Sequence, residues 1–186
     1  MTNQLLNQTT LIGQLLVRAA TPTDLTQVAH IARTTWEATY SDTIAPENRQ
    51  EFLNRAYKPE NLLDAIDTPG HWFYVAEVAG QIVGFAHFFQ RYHPTKPRAE
   101  LVRLYILPQY QNRGIGAHLL QTGFTALFAV GINLCFVSVQ SSNTAARRFY
   151  QRHRFTEHRS HGQFLGTQII TLIEFIRPIS QEDILE

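Results

Sequence analysis

From Leu104 to Gly116 the chain reads Leu-Tyr-Ile-Leu-Pro-Gln-Tyr-Gln-Asn-Arg-Gly-Ile-Gly. An apolar run stops at Pro108, two glycines follow, and the next residues repeat apolar positions at helical spacing. A glycine turn that feeds straight into a helix leaves N–H groups unpaired at the helix start, converging on whatever lies above the turn. Gly114 and Gly116 let the main chain approach without a Cβ in the way, the helix dipole adds partial positive charge, and Arg113 adds a full one. The chemistry is anion binding, and a diphosphate is the natural guest. Two other phosphate loops are excluded. A Rossmann fingerprint needs a third glycine where this chain has Leu119, and a Walker A loop needs a Gly-Lys-Ser/Thr run that is absent.

The surrounding elements must hold that loop in place. Residues 15–20 have the apolar content of a first strand, and Thr21-Pro22-Thr23-Asp24 supplies start signals for a helix to about Thr35 with Val28, Ile31 and Ala32 on one face. Residues 47–57 and 59–66 predict two more short helices. Aromatic and β-branched runs at 72–78 and 81–89 flank Ala79-Gly80 as a hairpin, and 100–107 reads as a central strand covered on both faces. A helix over 115–130 lines up Ile115, Leu119, Leu120, Phe124, Leu127 and Phe128, with Gly131 as its stop. A strand at 134–139, a helix at 143–153 and strands at 155–159 and 168–176 follow. Strands and helices alternate after a helical pair and a hairpin, so the fold class is α/β with a mixed central sheet flanked by helices, in a single domain.

Composition narrows the functions. The 186 residues are 44% hydrophobic and 17% charged, enough apolar surface for one ordinary core. The lone Cys135 excludes an internal disulfide framework and a Cys-rich zinc site, which points to a reducing, cytoplasmic setting. In its apolar strand it reads as a small buried hydrophobe. No run reaches the roughly 18 apolar residues of a membrane span, and the first 17 residues lack the cations of a secretory leader. The net charge of +1 hides an asymmetry: residues 1–77 carry nine carboxylates and five cations, whereas 78–156 carry nine cations and one carboxylate, Glu100. The second half is built to receive an anion. His153, His158 and His161 lack a metal-site spacing and read as solvated loop histidines, so no metal is expected. The basic run Arg147–Arg154 fits an exposed helix face or a phosphate better than nucleic acid.

Gln111-x-x-Gly114-x-Gly116 on a strand, loop and helix resembles the acetyl-CoA pyrophosphate loop of the GNAT N-acetyltransferase superfamily. Asn143-Thr-Ala-Ala146-Arg-Arg-Phe149-Tyr150 is similar to the Asn-x-x-Ala-x-x-Phe/Leu-Tyr segment of the same family. The two motifs cover residues 98–157, and the element order from Val17 to Ile176 fits the whole fold, giving a GNAT domain at 16–178 between an N-terminal extension (1–15) and a C-terminal tail (179–186). Within the family, Ala99-Glu100-Leu101 before Arg103-Leu104-Tyr105-Ile106, and Phe164-Leu165-Gly166, look most like the bacterial spermidine/spermine N-acetyltransferase branch. The chain departs from its relatives at Arg154, where Gly is usual, at Thr171, where Asp is frequent, and at Ser138, where ribosomal-protein N-terminal acetyltransferases keep a catalytic Glu.

The resemblance implies transfer of acetyl from acetyl-CoA, as cosubstrate, to a primary amine by direct attack, with a polyamine or related small amine as the leading acceptor. It places Gln111, Asn112, Arg113, Gly114, Ile115, Gly116, Asn143 and Tyr150 on the cofactor, and the main chain of Leu104, Tyr105 and Ile106 along the pantetheine arm. Irregularity in that strand would free an N–H for the thioester oxygen. An alkylamine of pKa near 10.4 is neutral in only about one molecule in 2,500 at pH 7, equivalent to roughly 4.6 kcal/mol, so a base is needed. Glu100 is the candidate, directly or through a water, and pairing with Arg98 or Arg103 is the alternative. Tyr150 is the candidate acid for the leaving thiolate, sharing a helix face with Ala146 and Asn143. Asn143 also suits a helix cap. Trp36, Glu37 and Tyr40, expected after the first helix, could line a site for a cationic amine, although Trp36 and Tyr40 equally suit core packing. A peptide amino terminus as acceptor would need an open groove around residues 36–48, and a CoA-binding sensor that has lost turnover is the rival outside enzymes. A homodimer is compatible with the family fold.

Overall fold

The computed structural model describes residues 15–92 and 97–184. The N-terminal extension therefore lies outside the described residues apart from Leu15. The elements in chain order are β1 (Leu15–Ala19), α1 (Leu25–Tyr40), α2 (Pro46–Ala56), α3 (Pro59–Asp67), β2 (His71–Val78), β3 (Gln81–Arg91), β4 (Arg98–Ile106), α4 (Ile115–Ala129), β5 (Leu134–Gln140), α5 (Thr144–Arg152), β6 (Thr156–Leu165) and β7 (Gln168–Pro178).

The seven strands form one sheet in the order β1-β2-β3-β4-β5-β7-β6. All neighbours are antiparallel except β4 and β5, which α4 joins as a parallel pair. That one parallel seam is short. Only Ala99 with Cys135 and Glu100 with Phe136 are in register, after which the strands part. Among the described residues, 101–106 of β4, Val102 excepted, thus pair with β3 on one side and with no strand on the other. This wedge is the feature that positions the site.

Each face of the sheet carries its own core. Under α4 and α5 lie Phe88, Leu101, Leu119, Phe124, Tyr150 and Phe175, while α1, α2 and α3 cover Val28, Ile31, Leu62, Phe73, Phe85 and Leu53. β2 and β3 are near-continuous runs of apolar and aromatic residues because both faces of the sheet are covered by helices. The Ala79-Gly80 turn has φ of 50° and 79°, the pair of left-handed residues a two-residue hairpin requires.

Three sequence expectations need correction. α1 runs five residues past Thr35, because the Thr35 hydroxyl donates to the carbonyls of Ile31 and Ala32 and so satisfies itself within the helix. Trp36, Glu37 and Tyr40 therefore sit on its last turns, not after it. β6 extends to Leu165 instead of stopping at Arg159, because the Gly166-Thr167 turn closes a long hairpin with β7. Phe128, expected on the buried stripe of α4, is 36% exposed.

Candidate active site

The wedge opens into a cleft of about 770 Å³. Three elements converge on it: the free side of β4, the loop into α4, and the N-terminal turns of α5, with the end of α1 closing one wall.

The loop is held open by its own hydrogen bonds. Pro108–Tyr110 forms a 3-10 turn, the Gln111 N–H donates to the Pro108 carbonyl at 3.2 Å, and the Gln111 side chain donates to the Ile106 carbonyl at 2.9 Å. Gln111 thus ties the loop to the end of β4, and its main-chain nitrogen is not free for an anion as the sequence motif alone implies. None of the N–H groups from Asn112 to Gly116 donates to a main-chain carbonyl, and the next donor, Ala117, bonds the Gly114 carbonyl at 3.0 Å. Asn112 (φ 58°) and Gly114 (φ 81°) adopt left-handed conformations within this loop. At Gly116 a Cβ would lie 3.0 Å from the Phe149 ring and 3.3 Å from Ile106, so the absence of a side chain leaves the cradle its depth. Five unpaired donors at a helix start fit a diphosphate. Ile115 contributes only main chain, since its side chain is buried beneath α4. The Arg113 guanidinium lies 5.6 Å from the Tyr110 ring centroid, outside the cleft wall.

Leu104, Tyr105 and Ile106 line the cleft along the unpaired side of β4. Here β4 is irregular: His87 faces Arg103 and Phe88 faces Leu101, so Val102 has no partner on β3. The sequence carries no mark of this bulge.

On α5, Asn143, Ala146 and Tyr150 face the cleft together. The Asn143 side-chain Oδ1 accepts from the Ala146 N–H at 3.0 Å and caps the helix, while its Nδ2 donates to the Tyr40 hydroxyl at 3.2 Å. Tyr40 therefore bridges α1 to α5 across the cleft. Tyr150 packs against Phe149, Phe155 and Phe175, and burial, with no hydrogen bond to offset it, pushes its phenol well above its ordinary range. It stays protonated at every physiological pH. Burial also raises Tyr40. His153, expected as a solvated loop residue, lines the cleft at the end of α5 with its ring 4.5 Å from Phe149.

The remaining expected residues lie apart from the cleft wall. Trp36 is buried, stacked on Phe52 at 4.4 Å, and donates through Nε1 to the Tyr105 hydroxyl at 3.0 Å. Arg49 Nη2 donates to both carboxylate oxygens of Glu37, at 3.0 and 3.2 Å. Glu100, in the last β4–β5 pair at the foot of the wedge, accepts from Arg91 Nε at 2.6 Å, an alternative partner to the two the sequence offered. Cys135 is fully buried and its thiol is pushed up to about 12. Among the described residues no carboxylate lines the cleft.

A sequence-distant clasp borders the same end of the molecule. The Asn48 side-chain oxygen accepts from the Thr167 N–H at 3.2 Å, and Gln168 accepts from the Ala45 N–H at 3.2 Å while donating to the Thr43 carbonyl at 2.8 Å. The β6–β7 turn is thereby fastened to the α1–α2 connection.

A parallel seam that splays open, a glycine cradle at its mouth and a tyrosine facing both define an acyl-CoA-dependent transferase fold. The chain matches the model of the acetyltransferase (GNAT) family over residues 25–155 and belongs to that family, as an acetyl-CoA-dependent N-acetyltransferase of the GNAT type. It is 27% identical over 143 residues to a spermidine N(1)-acetyltransferase of Thermoplasma acidophilum, covering 75% of this chain and 86% of that one. An uncharacterized N-acetyltransferase of Lactobacillus delbrueckii subsp. lactis is 27% identical over 142 residues, covering 73% and 82%. Among solved structures, the PaiA N-acetyltransferase of Thermoplasma acidophilum in complex with coenzyme A superposes with a TM-score of 0.74 at 24% identity, over 86% of this chain and 97% of that one. The ribosomal-protein-S18-alanine N-acetyltransferase of Escherichia coli gives 0.66 at 19% identity, over 90% and 95%. Among the described residues no helix is long and apolar enough to cross a membrane.

Proposed function

We propose that this protein transfers acetyl from acetyl-CoA to the primary amine of a small molecule by direct attack in a ternary complex. The observation that carries this reading is the convergence, in one cleft, of five unpaired loop N–H groups, the free edge of β4 and the Tyr150 phenol. The loop holds the diphosphate, Leu104 to Ile106 pair with the pantetheine arm as an added strand would, and a main-chain N–H on the free edge of β4 donates to the thioester oxygen as charge develops on it. The amine nitrogen forms the new C–N bond, the C–S bond breaks, and the amine loses a proton. Glu100 takes that proton through a water from the foot of the wedge, and Tyr150 donates to the departing thiolate. A covalent acetyl-cysteine route has no support, because the single thiol is sealed within β5 and held in its neutral form.

The clasp between the β6–β7 turn and the α1–α2 connection favours small acceptors over peptides, since it fastens together the two segments a peptide groove would have to separate. The Thermoplasma spermidine enzyme supports a polyamine acceptor. The charges near the cleft oppose it, because Glu37 and Glu100 are already paired with Arg49 and Arg91. The test is calorimetry with coenzyme A together with acetyl-CoA consumption across polyamines, amino acids, aminoglycosides and short peptides. Association with coenzyme A and turnover of a small amine are expected. Association without turnover of any amine would leave a sensor.

A further inference from the structure

Past the glycine loop the cleft continues between the first turn of α4 and the last turn of α5, where Gly116, Ala117, Phe149, Arg152 and His153 line it. Gly116 lies against the Phe149 ring, which a Cβ would approach to 3.0 Å, and that ring is 4.5 Å from the His153 ring. Arg152 and His153 thus stand on the far side of Phe149 from the loop. Asn143 and Tyr40 meet at the opposite end of α5, about 13 Å away for a helix of nine residues. Among the described residues, Arg152 is the one fully charged side chain on the cleft wall, because burial, with Arg177 and Arg152 beside it, holds His153 below its ordinary range and so neutral at pH 7. The basic run of the sequence therefore divides. Arg147 pairs with Glu157 at 3.1 Å, whereas Arg152 is exposed and forms no ion pair or side-chain hydrogen bond among the described residues.

A cation in the last turn of a helix commonly offsets the partial negative charge of the final carbonyls. Here other donors already meet those carbonyls. The His153 N–H donates to Phe149 and Tyr150, the Arg154 N–H to Gln151, and Arg177 Nη1 to the His153 carbonyl at 2.8 Å. The Arg152 guanidinium is left to face the cleft. Main chain cannot hold an anion at this end of α5 as it does at the loop, since a helix C-terminus presents carbonyls and not N–H groups. Coenzyme A carries a second anion besides its diphosphate, a monoester on the ribose 3′ oxygen with close to two negative charges at pH 7. With the diphosphate on the loop and the pantetheine arm along β4, the nucleoside leaves the loop on the other side, toward the last turn of α5.

We infer that Arg152 binds the ribose 3′-phosphate of the cofactor, so that this cleft prefers coenzyme A to its 3′-dephospho form. This rests on the placement of the diphosphate and the pantetheine arm given above. The guanidinium fork matches a phosphate with two parallel hydrogen bonds, and the contact lies at the opposite end of the cofactor from the thioester. Arg152 is therefore a residue of cofactor choice and takes no part in moving the acetyl group.

Calorimetry compares coenzyme A with 3′-dephospho-coenzyme A in the native chain, in Arg152→Gln and in Arg148→Gln, all at one low ionic strength because salt screens an exposed cation. The native chain is expected to bind coenzyme A about tenfold more tightly, the lower end for a hydrogen bond to a charged group, since Arg152 is exposed. Arg152→Gln should bring that ratio to within about twofold of one and leave the affinity for the dephospho form as it is. Arg148 is exposed on the same helix and lies outside the cleft wall, so Arg148→Gln controls for net charge and should keep the tenfold ratio. An equal loss for both ligands in Arg152→Gln moves the arginine to the diphosphate and overturns the inference. A native ratio near one, a ratio that survives Arg152→Gln, or one that Arg148→Gln lowers as far also overturns it. Each of these leaves acetyl transfer standing, because the native chain still binds the diphosphate. A native chain that binds neither ligand overturns both.

Discussion

Replacing Gly114 with Ala separates backbone strain from cofactor binding. Gly114 sits at φ 81°, and a Cβ there would meet nothing closer than His118 at 3.9 Å, so the substitution adds no clash. What it adds is the penalty of a side chain in the left-handed region, about 1–2 kcal/mol. The loop sheds that strain by relaxing, which turns away some of the five N–H groups between Asn112 and Gly116. Losing two charge-assisted hydrogen bonds at about 1.5–3 kcal/mol each weakens coenzyme A by roughly 10² to 10⁴. Gly80 provides the matched control, because it has nearly the same φ, 79°, with nothing within 4 Å of where a Cβ would stand, and it lies in the β2–β3 turn. Both Ala variants should lower the melting temperature by about 2–8 °C. Only Gly114→Ala should lose affinity by calorimetry. Equal coenzyme A affinity in both variants would refute the assignment of the cradle.

Tyr150→Phe keeps the packing against Phe155 and Phe175 and removes the proton donor, so kcat should fall by about 10² to 10⁴ with a far smaller change in coenzyme A affinity, read by stopped-flow thiol release. Glu100→Gln should lower kcat/KM about 100-fold near neutrality, with the deficit shrinking as rising pH deprotonates the amine unaided, which a pH–rate profile measures. Gly166→Ala would place a Cβ 2.1 Å from the Asn48 side-chain oxygen at a φ of 58°, so it should undo the clasp, raise the KM for the acceptor and lower the melting temperature by a few degrees. Burial lowers the His87 imidazole to about 3 in the fold, against about 6.5 in the unfolded chain. Between those values the unfolded state binds the extra proton, so stability is complete above pH 6.5 and falls by up to about 1.4 kcal/mol per unit as pH drops toward 3. Urea unfolding of His87→Gln at pH 7 and pH 5 should show a shallower loss than the native chain.

The cradle is legible in the sequence because its signal is local: a glycine pair between an apolar run and a helix fixes both the conformation and the free donors. The element order is legible for a similar reason, since periodicity and turn residues mark each piece. What escapes a linear reading depends on residues far apart in the chain or on how the chain turns back on itself. Gln111 fits the motif, yet only the proximity of Pro108 and Ile106 reveals that its donors are engaged in holding the loop. The Asn48–Thr167 contact spans 119 positions, and the opening of the β4–β5 seam follows from sheet geometry that no single segment encodes. Residue type alone assigns Trp36 and Glu37 to the acceptor, whereas Phe52, Tyr105 and Arg49 already occupy them.

The bond from Trp36 to Tyr105 gives the protein an internal optical reporter. The chain has two tryptophans, and the indole of one is tethered to a phenol on the wall of the cleft. A guest lying along that wall changes the polarity felt by the indole, so emission from a Trp72→Phe variant would follow occupancy in real time without any added dye.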